Sequence, residues 1–287
     1  MRRKITPFII GIDGLIGNVL WHYYRSKNPL TYGTSRKGTD GLPSLDLENL
    51  DLKKLQIDLK PFTHAIIAAG IPNIKACEMS PHSTRICNVD SPLQLARQFA
   101  LLDIQPVLFS TDYVFDGLEG SYDEKSLLSP LNEYGRQKAE LEKNLPAACS
   151  GNYLLLRLSK VFVKNLQGKG LLGEIADKLR ENQKILAAKN LVFSPILLDD
   201  VVRGIEALLD LKETGLFNIG GSEIWDRYAL SLAIAKAIGA NPENVTPILI
   251  EDLNECFQRP KKTNLISEKF TKSTKIKLTT LSSCTKN

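Results

Sequence analysis

Two tyrosine–lysine pairs are the residues of this 287-residue chain best suited to moving a proton: Tyr23 with Lys27 in YYRSK, and Tyr134 with Lys138 in NEYGRQK. On a helix, a four-residue gap puts both side chains on one face, one turn apart. A tyrosine hydroxyl titrates near ~10 in water, too high for efficient proton exchange at neutral pH. An ammonium one turn away stabilises tyrosinate and lowers that value. Such a pair can deliver the proton that a ketone needs on oxygen while hydride arrives at carbon, and a nearby hydroxyl can hold the carbonyl oxygen. Spacing alone leaves both pairs open.

Other reactive residue types carry little. His22, His64 and His82 stand apart with no ligand spacing and read as surface or core residues, so no metal site is expected. The five cysteines (Cys77, Cys87, Cys149, Cys256 and Cys284) are odd in number and scattered, and no CxxC occurs. Neither a zinc site nor a disulfide framework is expected, and a reducing cytoplasm fits best. Gly220-Gly221-Ser222 is not a hydrolase elbow, because GxSxG is absent.

Bulk composition narrows the class. Apolar residues make up 43% and charged residues 24%, as in an ordinary globular protein with a sizeable core. No apolar run approaches the ~18 residues that cross a bilayer. The MRRKITPFIIGIDG start imitates a basic signal-peptide region, but its apolar run ends after four residues and no small-residue cleavage site follows. No membrane association is expected. Of the net charge of +5, residues 259–277 hold Arg259, Lys261, Lys262, Lys269, Lys272, Lys275 and Lys277 against Glu268 alone. A nucleic-acid binder would interleave aromatics, and only Phe270 lies here, so no nucleic-acid partner is expected. The stretch reads as a solvated basic tail or as help in holding an anionic substrate.

The elements that must position such chemistry alternate. FII, PLTYG, HAIIAAG, PVLFSTDYVF and NYLLLRLSKVF read as strands, and LIGNVLWHYY and SPLQLARQFALL as helices. Ser91 is the expected N-cap of the second helix, with Pro92 in its first turn. Continuous apolar strands between helices argue for a parallel sheet covered on both faces. Later helices are expected in KGLLGEIADKLRENQ, LDDVVRGIEALLDL and DRYALSLAIAKAIGA, the last capped by Asp226 and stopped at Gly239. From about Thr271 the tail is polar and expected to fray.

Gly11, Gly14 and Gly17 in GIDGLIG fall between the first strand and first helix. There, with Leu15 and Ile16, the backbone can approach a pyrophosphate at the positive end of the helix. Asp13 would repel phosphate there, unless it caps the helix with its side chain turned away. The acid that normally follows the second strand and binds the NAD ribose is missing: Ser35, Arg36 and Lys37 stand there, and the first acid is Asp40. A hydroxyl and two cations suit a 2′-phosphate, so NADP(H) is expected over NAD(H), against the plainer reading of solvated loop charges.

STDYVFDG (110–117) followed by SPLNEYGRQKAELE (129–142) resembles the extended short-chain dehydrogenases/reductases of the dTDP-4-dehydrorhamnose reductase type. These read STDYVFdG and then PlNxYGxxKxxxE, and the second is matched here at Pro130, Leu131, Asn132, Tyr134, Gly135, Lys138 and Glu142. GxxGxxG is also the glycine spacing of these proteins, and RPKKTNLISEKF (259–270) resembles a further family segment. The resemblance implies that Thr111 holds the carbonyl oxygen and Tyr134 is the general acid. It implies that Lys138 lowers the Tyr134 pKa and bonds the nicotinamide ribose. It also places Asp46 and Leu47 at the adenine, where a plain loop acid is the alternative, and Ala68, Ala69 and Gly70 along the cofactor. Asp112, Tyr113, Lys160 and Arg259 fall on the substrate side. Related 4,6-dehydratases carry Asp-Glu after the threonine, whereas Asp112 precedes Tyr113 here; epimerases of the superfamily usually lack TDYVF. Lys160 stands where a Trp is common and Gly70 where an aromatic is common, which leaves the particular sugar open.

The expected fold is α/β, a doubly wound parallel sheet of Rossmann type with a smaller C-terminal α/β substrate domain. Residues 1–155 and 188–213 are assigned to the NADP-binding domain, and 156–187 and 214–287 to the substrate domain. The implied reaction is NADPH-dependent reduction of a 4-keto group on a nucleotide-linked deoxysugar, as in surface polysaccharide precursors, by a protein that could form a homodimer. The alternative is a non-catalytic NADP-binding regulatory subunit, like that of methionine adenosyltransferase; a sugar-nucleotide epimerase comes third.

Overall fold

The computed structural model describes residues 4–38, 41–167 and 170–284; Asp40 lies outside them. In chain order come β1 (Pro7–Ile10), α1 (Leu15–Lys27), β2 (Tyr32–Thr34), β3 (His64–Ile67), α2 (Ile74–Met79) and α3 (Pro81–Arg85). There follow α4 (Ser91–Ala100), β4 (Gln105–Thr111), α5 (Glu133–Ala148), β5 (Leu154–Leu158) and β6 (Val161–Phe162). Then come α6 (Leu171–Arg180), β7 (Ile185–Ala188), β8 (Val192–Phe193), β9 (Ile196–Leu197) and α7 (Leu198–Asp210). The last elements are β10 (Gly215–Ile219), β11 (Trp225–Asp226), α8 (Arg227–Ile238), β12 (Val245–Ile248), α9 (Glu268–Thr274) and α10 (Leu281–Cys284).

Six strands form one sheet in the order β10-β5-β4-β3-β1-β2, parallel as the unbroken apolar runs predicted. β1 is buried at all four positions, with Ile9 facing Gly33 on one side and Ile66 on the other. The chain reverses direction across the sheet at β1, whose neighbours β2 and β3 lie on opposite sides. In such sheets the crevice outside the carboxyl ends at that reversal is where ligands bind. Beyond β2 a single parallel bridge joins Ser35 to Ser44.

The chain divides into two compact units, the first comprising Met1–Ser110, Asn132–Leu156 and Glu206–Leu216. Its core gathers Phe8, Phe62 and Phe99, whose rings meet at 5.3 Å and 5.5 Å, under Leu95, Leu108 and Leu145. α5 starts at Asn132, whose side chain accepts the Gly135 N–H at 2.9 Å. The Tyr23–Lys27 pair is engaged with a second helix. Lys27 Nζ donates to Tyr23 at 2.6 Å and pairs with Glu206 of α7 at 2.6 Å, and the Tyr23 hydroxyl donates to the same carboxylate. This second tyrosine–lysine pair ties two helices together.

The second unit comprises Thr111–Leu131, Arg157–Ile205 and Phe217–Asn287. Phe162, Leu172, Ile175, Leu230 and Ile234 fill its core, and β7 pairs in parallel with β12. Asp226 caps α8 by accepting the Ala229 N–H at 2.7 Å, and Gly239 ends it in the left-handed region, as the sequence predicts.

Three local expectations are corrected. Ser91 does not cap α4: its hydroxyl donates to the Leu47 carbonyl at 2.5 Å, and the helix grows directly out of a π turn over Ile86–Asp90. The strand through PVLFSTDYVF stops at Thr111, because Asp112–Val114 turns into a 3-10 helix with the Thr111 hydroxyl accepting the Tyr113 N–H. The tail does not fray at Thr271. Phe270, Leu278 and Leu281 are buried, and the carboxylates of Asp200 and Glu223 accept the N–H groups of Thr279 and Ser282 at 2.5 Å and 2.9 Å.

Candidate active site

In the first unit the glycine turn leaves β1 with Gly11 at φ +91°, where an added Cβ would lie 2.7 Å from Ala69 N. A Cβ on Gly17 would lie 2.2 Å from the Gly11 carbonyl oxygen, so that glycine lets α1 pack onto the turn. Gly14 differs: its nearest neighbour would be 3.5 Å away, so packing does not demand it. It is the N-cap of α1, with no capping side chain and no acidic residue in the first turn. The N–H groups of the turn that starts with Leu15 and Ile16 have no helical acceptors. An uncapped, uncovered helix start is an anion site.

Asp13 does not cap α1. Its carboxylate accepts the Arg36 N–H at 3.1 Å and so turns toward the end of β2. A cavity of about 160 Å³ opens at the ends of β1 and β3. Of the predicted cofactor residues, Gly11, Gly14, Arg36, Asp46, Leu47, Ala68, Ala69 and Gly70 line it, joined by Asp13, Leu45, Ile71 and Cys87. Ser35 is buried, its hydroxyl without a hydrogen-bond partner, and Lys37 stays on the surface, so Arg36 is the one of the three that reaches the cavity. Apolar walls at Leu45, Leu47 and Ile71, a guanidinium and a bare helix start fit the purine and phosphates of a dinucleotide.

Tyr134 lies half-buried on α5, one turn before Lys138. Lys138 is buried, and Nζ donates to the Phe109 carbonyl of β4 at 3.1 Å, two residues before Thr111. A Cβ on Gly70 would lie 3.9 Å from this nitrogen, so the ammonium stands beside the cavity wall. Burial lowers its pKa to about 8, against the opposing pull of Cys77 and Glu142. Glu142, a position of the family motif, accepts the Ser110 hydroxyl and so fixes α5 on β4.

Sequence reasoning missed a pair of amides behind this helix. Asn88, in the π turn, accepts the Ile71 N–H at 2.7 Å and donates to Gln137 at 2.8 Å. Gln137 in turn donates to Thr84 at 3.0 Å. These bonds fix the loop after β3 and the α5 turn holding Tyr134 and Lys138. A polar residue interrupting two apolar positions in CNVD was the only available signal.

Thr111 opens the second unit, buried, its hydroxyl 3.1 Å from Asp112 Oδ1. Asp112 is buried too; its other oxygen accepts the hydroxyls of Thr263 at 2.7 Å and Ser159 at 3.3 Å. Burial raises its pKa although these hydroxyls oppose the shift. The Tyr113 hydroxyl accepts from Arg259 at 3.4 Å, and Glu255 grips Arg259 at 2.5 Å and 2.7 Å, raising the guanidinium pKa. Lys160 follows Ser159 and keeps its side chain open. Among the described residues no three His, Cys, Asp or Glu side chains cluster to hold a metal, and no helix is long and apolar enough to cross a membrane.

These features define a Rossmann-like α/β protein with a switch-point cleft. The chain belongs to the RmlD substrate binding domain family of sugar-nucleotide reductases, which it matches over residues 5–286. It is 25% identical to the "probable low-salt glycan biosynthesis reductase" of Haloferax volcanii, over 90% of this chain and 88% of that one. It is 27% identical to methionine adenosyltransferase 2 subunit beta of Mus musculus, over 91% of this chain and 80% of that one. Among solved structures, dTDP-4-dehydrorhamnose reductase of Bacillus anthracis in complex with NADP superposes with a TM-score of 0.87 at 20% identity, covering 98% and 97% of the two chains. At that identity the likeness is one of fold.

Proposed function

We propose that the chain is an NADPH-dependent reductase of a 4-keto group on a nucleotide-linked deoxysugar. The observation that carries this reading is the buried Lys138 ammonium one turn from Tyr134, held against Phe109 and standing beside the Gly70 wall of the cleft. The B. anthracis relative was solved with NADP, and Arg36 is the cation in this chain's cleft that suits a 2′-phosphate. The start of α1 faces the pyrophosphate, and Asp46 and Leu47 face the purine. Residues 1–155 and 188–213 serve the cofactor, and 156–187 and 214–287 serve the sugar.

The reduced nicotinamide, when bound, supplies hydride to the carbonyl carbon. Thr111 turns its hydroxyl from Asp112 to the ketone oxygen, and Tyr134 gives that oxygen its proton, completing the alcohol. Charged Lys138 stabilises the tyrosinate left behind. The test is a screen of nucleotide-linked 4-keto deoxysugars, following loss of reduced-nicotinamide absorbance. Consumption with at least one of them is expected, and consumption with none contradicts the reading.

The relative named methionine adenosyltransferase 2 subunit beta favours a second reading, a non-catalytic NADP-binding subunit. Co-purification with a larger enzyme, and no turnover on any keto sugar, would select it. Retention of Thr111, Tyr134 and Lys138 favours the reductase.

A further inference from the structure

We propose that Lys160 and Arg227 of the second unit form an anion subsite for an acidic group on the sugar ring, so that the chain takes nucleotide-linked sugar acids. This rests on the reading of the substrate as a nucleotide-linked sugar.

Neither side chain makes a hydrogen bond or an ion pair among the described residues. Three other basic groups of the unit are committed, Arg259 to Glu255, Lys261 to Glu251 and Lys272 to Glu268. The nearby acids are committed too. Asp112 spends its oxygens on three hydroxyls, Glu255 on Arg259, and Glu174 on the Gly170 N–H at 3.4 Å. Eight N–H donors therefore stand without acceptors.

Hydrogen bonds bring the two residues to one place. The Ser159 hydroxyl reaches Asp112, which positions Lys160, the next residue. Thr263 reaches the same carboxylate and donates its N–H to Val192 O at 2.8 Å. The Arg227 N–H donates to Leu191 O, one residue before Val192, at 3.2 Å, and Asp226 pairs with Val192 in the β8–β11 ladder. Both side chains thus flank a network that ends on the Thr111 hydroxyl. Desolvation by the surrounding protein lowers the pKa values of both, although Lys160 is exposed to solvent; repulsion from Arg259 adds to each and from Arg227 to Lys160, while Asp112 and Glu174 oppose it at Lys160 and Glu174 and Tyr113 at Arg227. Two crowded cations lacking acceptors gain from an anion. Their link to Thr111, the residue assigned to the reacting ketone, places that anion on the sugar ring rather than on the diphosphate.

The test titrates the full-length protein calorimetrically with glucuronate and glucose, each linked to UDP and to dTDP. The protein should bind a glucuronate at least about tenfold tighter than the matching glucose. Lys160→Met and Arg227→Met should each abolish that preference, weakening glucuronate binding at least about tenfold more than glucose binding, with Lys160→Gln and Arg227→Gln as second variants should either fail to fold. Equal affinities in the unaltered protein overturn the subsite. Parallel weakening of both sugars in the variants overturns it too, assigning the cations to the diphosphate. Binding of none of the four overturns the subsite as well; the reductase reading is decided separately by the screen of 4-keto deoxysugars, because none of these four ligands carries a ketone for NADPH to reduce.

Discussion

Replacing Lys138 by methionine should stabilise the protein at neutral pH, although the lysine is assigned to catalysis. Its folded pKa of about 8 lies below the ordinary 10.5, because burial penalises the ammonium. A gap of that size corresponds to about 3 kcal/mol of cost while the group is charged in both states. Methionine has similar volume and carries no charge; losing the donor to the Phe109 carbonyl returns about 1 kcal/mol. The variant should therefore be about 2 kcal/mol more stable near pH 7. Below about pH 8 both states hold the proton and the full cost is present. Between 8 and 10.5 the folded state sheds it first, so the unfolded state binds more protons and the stability of the unaltered protein rises with pH. Urea unfolding of both proteins should show the variant's advantage shrinking above pH 8, vanishing near pH 10 and reversing by up to about 1 kcal/mol beyond, where only the lost hydrogen bond counts. An advantage that does not change with pH, or is absent at neutral pH, would refute the reasoning.

The same titration predicts that kcat falls as pH rises through about 8, as Lys138 loses the charge that stabilises tyrosinate; a rate that keeps rising past that point contradicts it. Gly17→Ala must displace the Gly11 carbonyl and should lower the unfolding midpoint, whereas Gly14→Ala has room and should fold normally while weakening cofactor binding, as measured by nicotinamide fluorescence. Tyr23→Phe together with Lys27→Met removes a half-exposed tie and should cost within about 1 kcal/mol, with kcat unchanged in steady-state assays.

The elements that gather around β1 were legible because their signals are local. Four buried apolar residues, a glycine turn and an amphipathic helix follow one another directly. The Asp226 and Gly239 caps of α8 were readable for the same reason, since each acts on backbone within a few residues. What stayed hidden depends on partners distant in the chain. Ser91 has the chemistry of a cap but spends its hydroxyl on Leu47, and Asp13 spends its carboxylate on the Arg36 N–H. Asn88 and Gln137 lie 49 positions apart and meet between the π turn and α5. The tail looked polar because its anchors, Leu278 and Leu281, are few, while the carboxylates that hold its backbone come from Asp200 and Glu223. Tyr23 and Lys27 show the limit of spacing from the other side: they carry the proton-delivery pattern, yet Glu206 makes them a brace between helices.

The central claim rests on one hydroxyl. Tyr134→Phe should still bind NADPH, and its NADPH oxidation with a nucleotide-linked 4-keto deoxysugar should fall by at least about a hundredfold relative to the unaltered protein. A phenylalanine variant that consumes NADPH at an unreduced rate would contradict the assignment of Tyr134 as the proton donor.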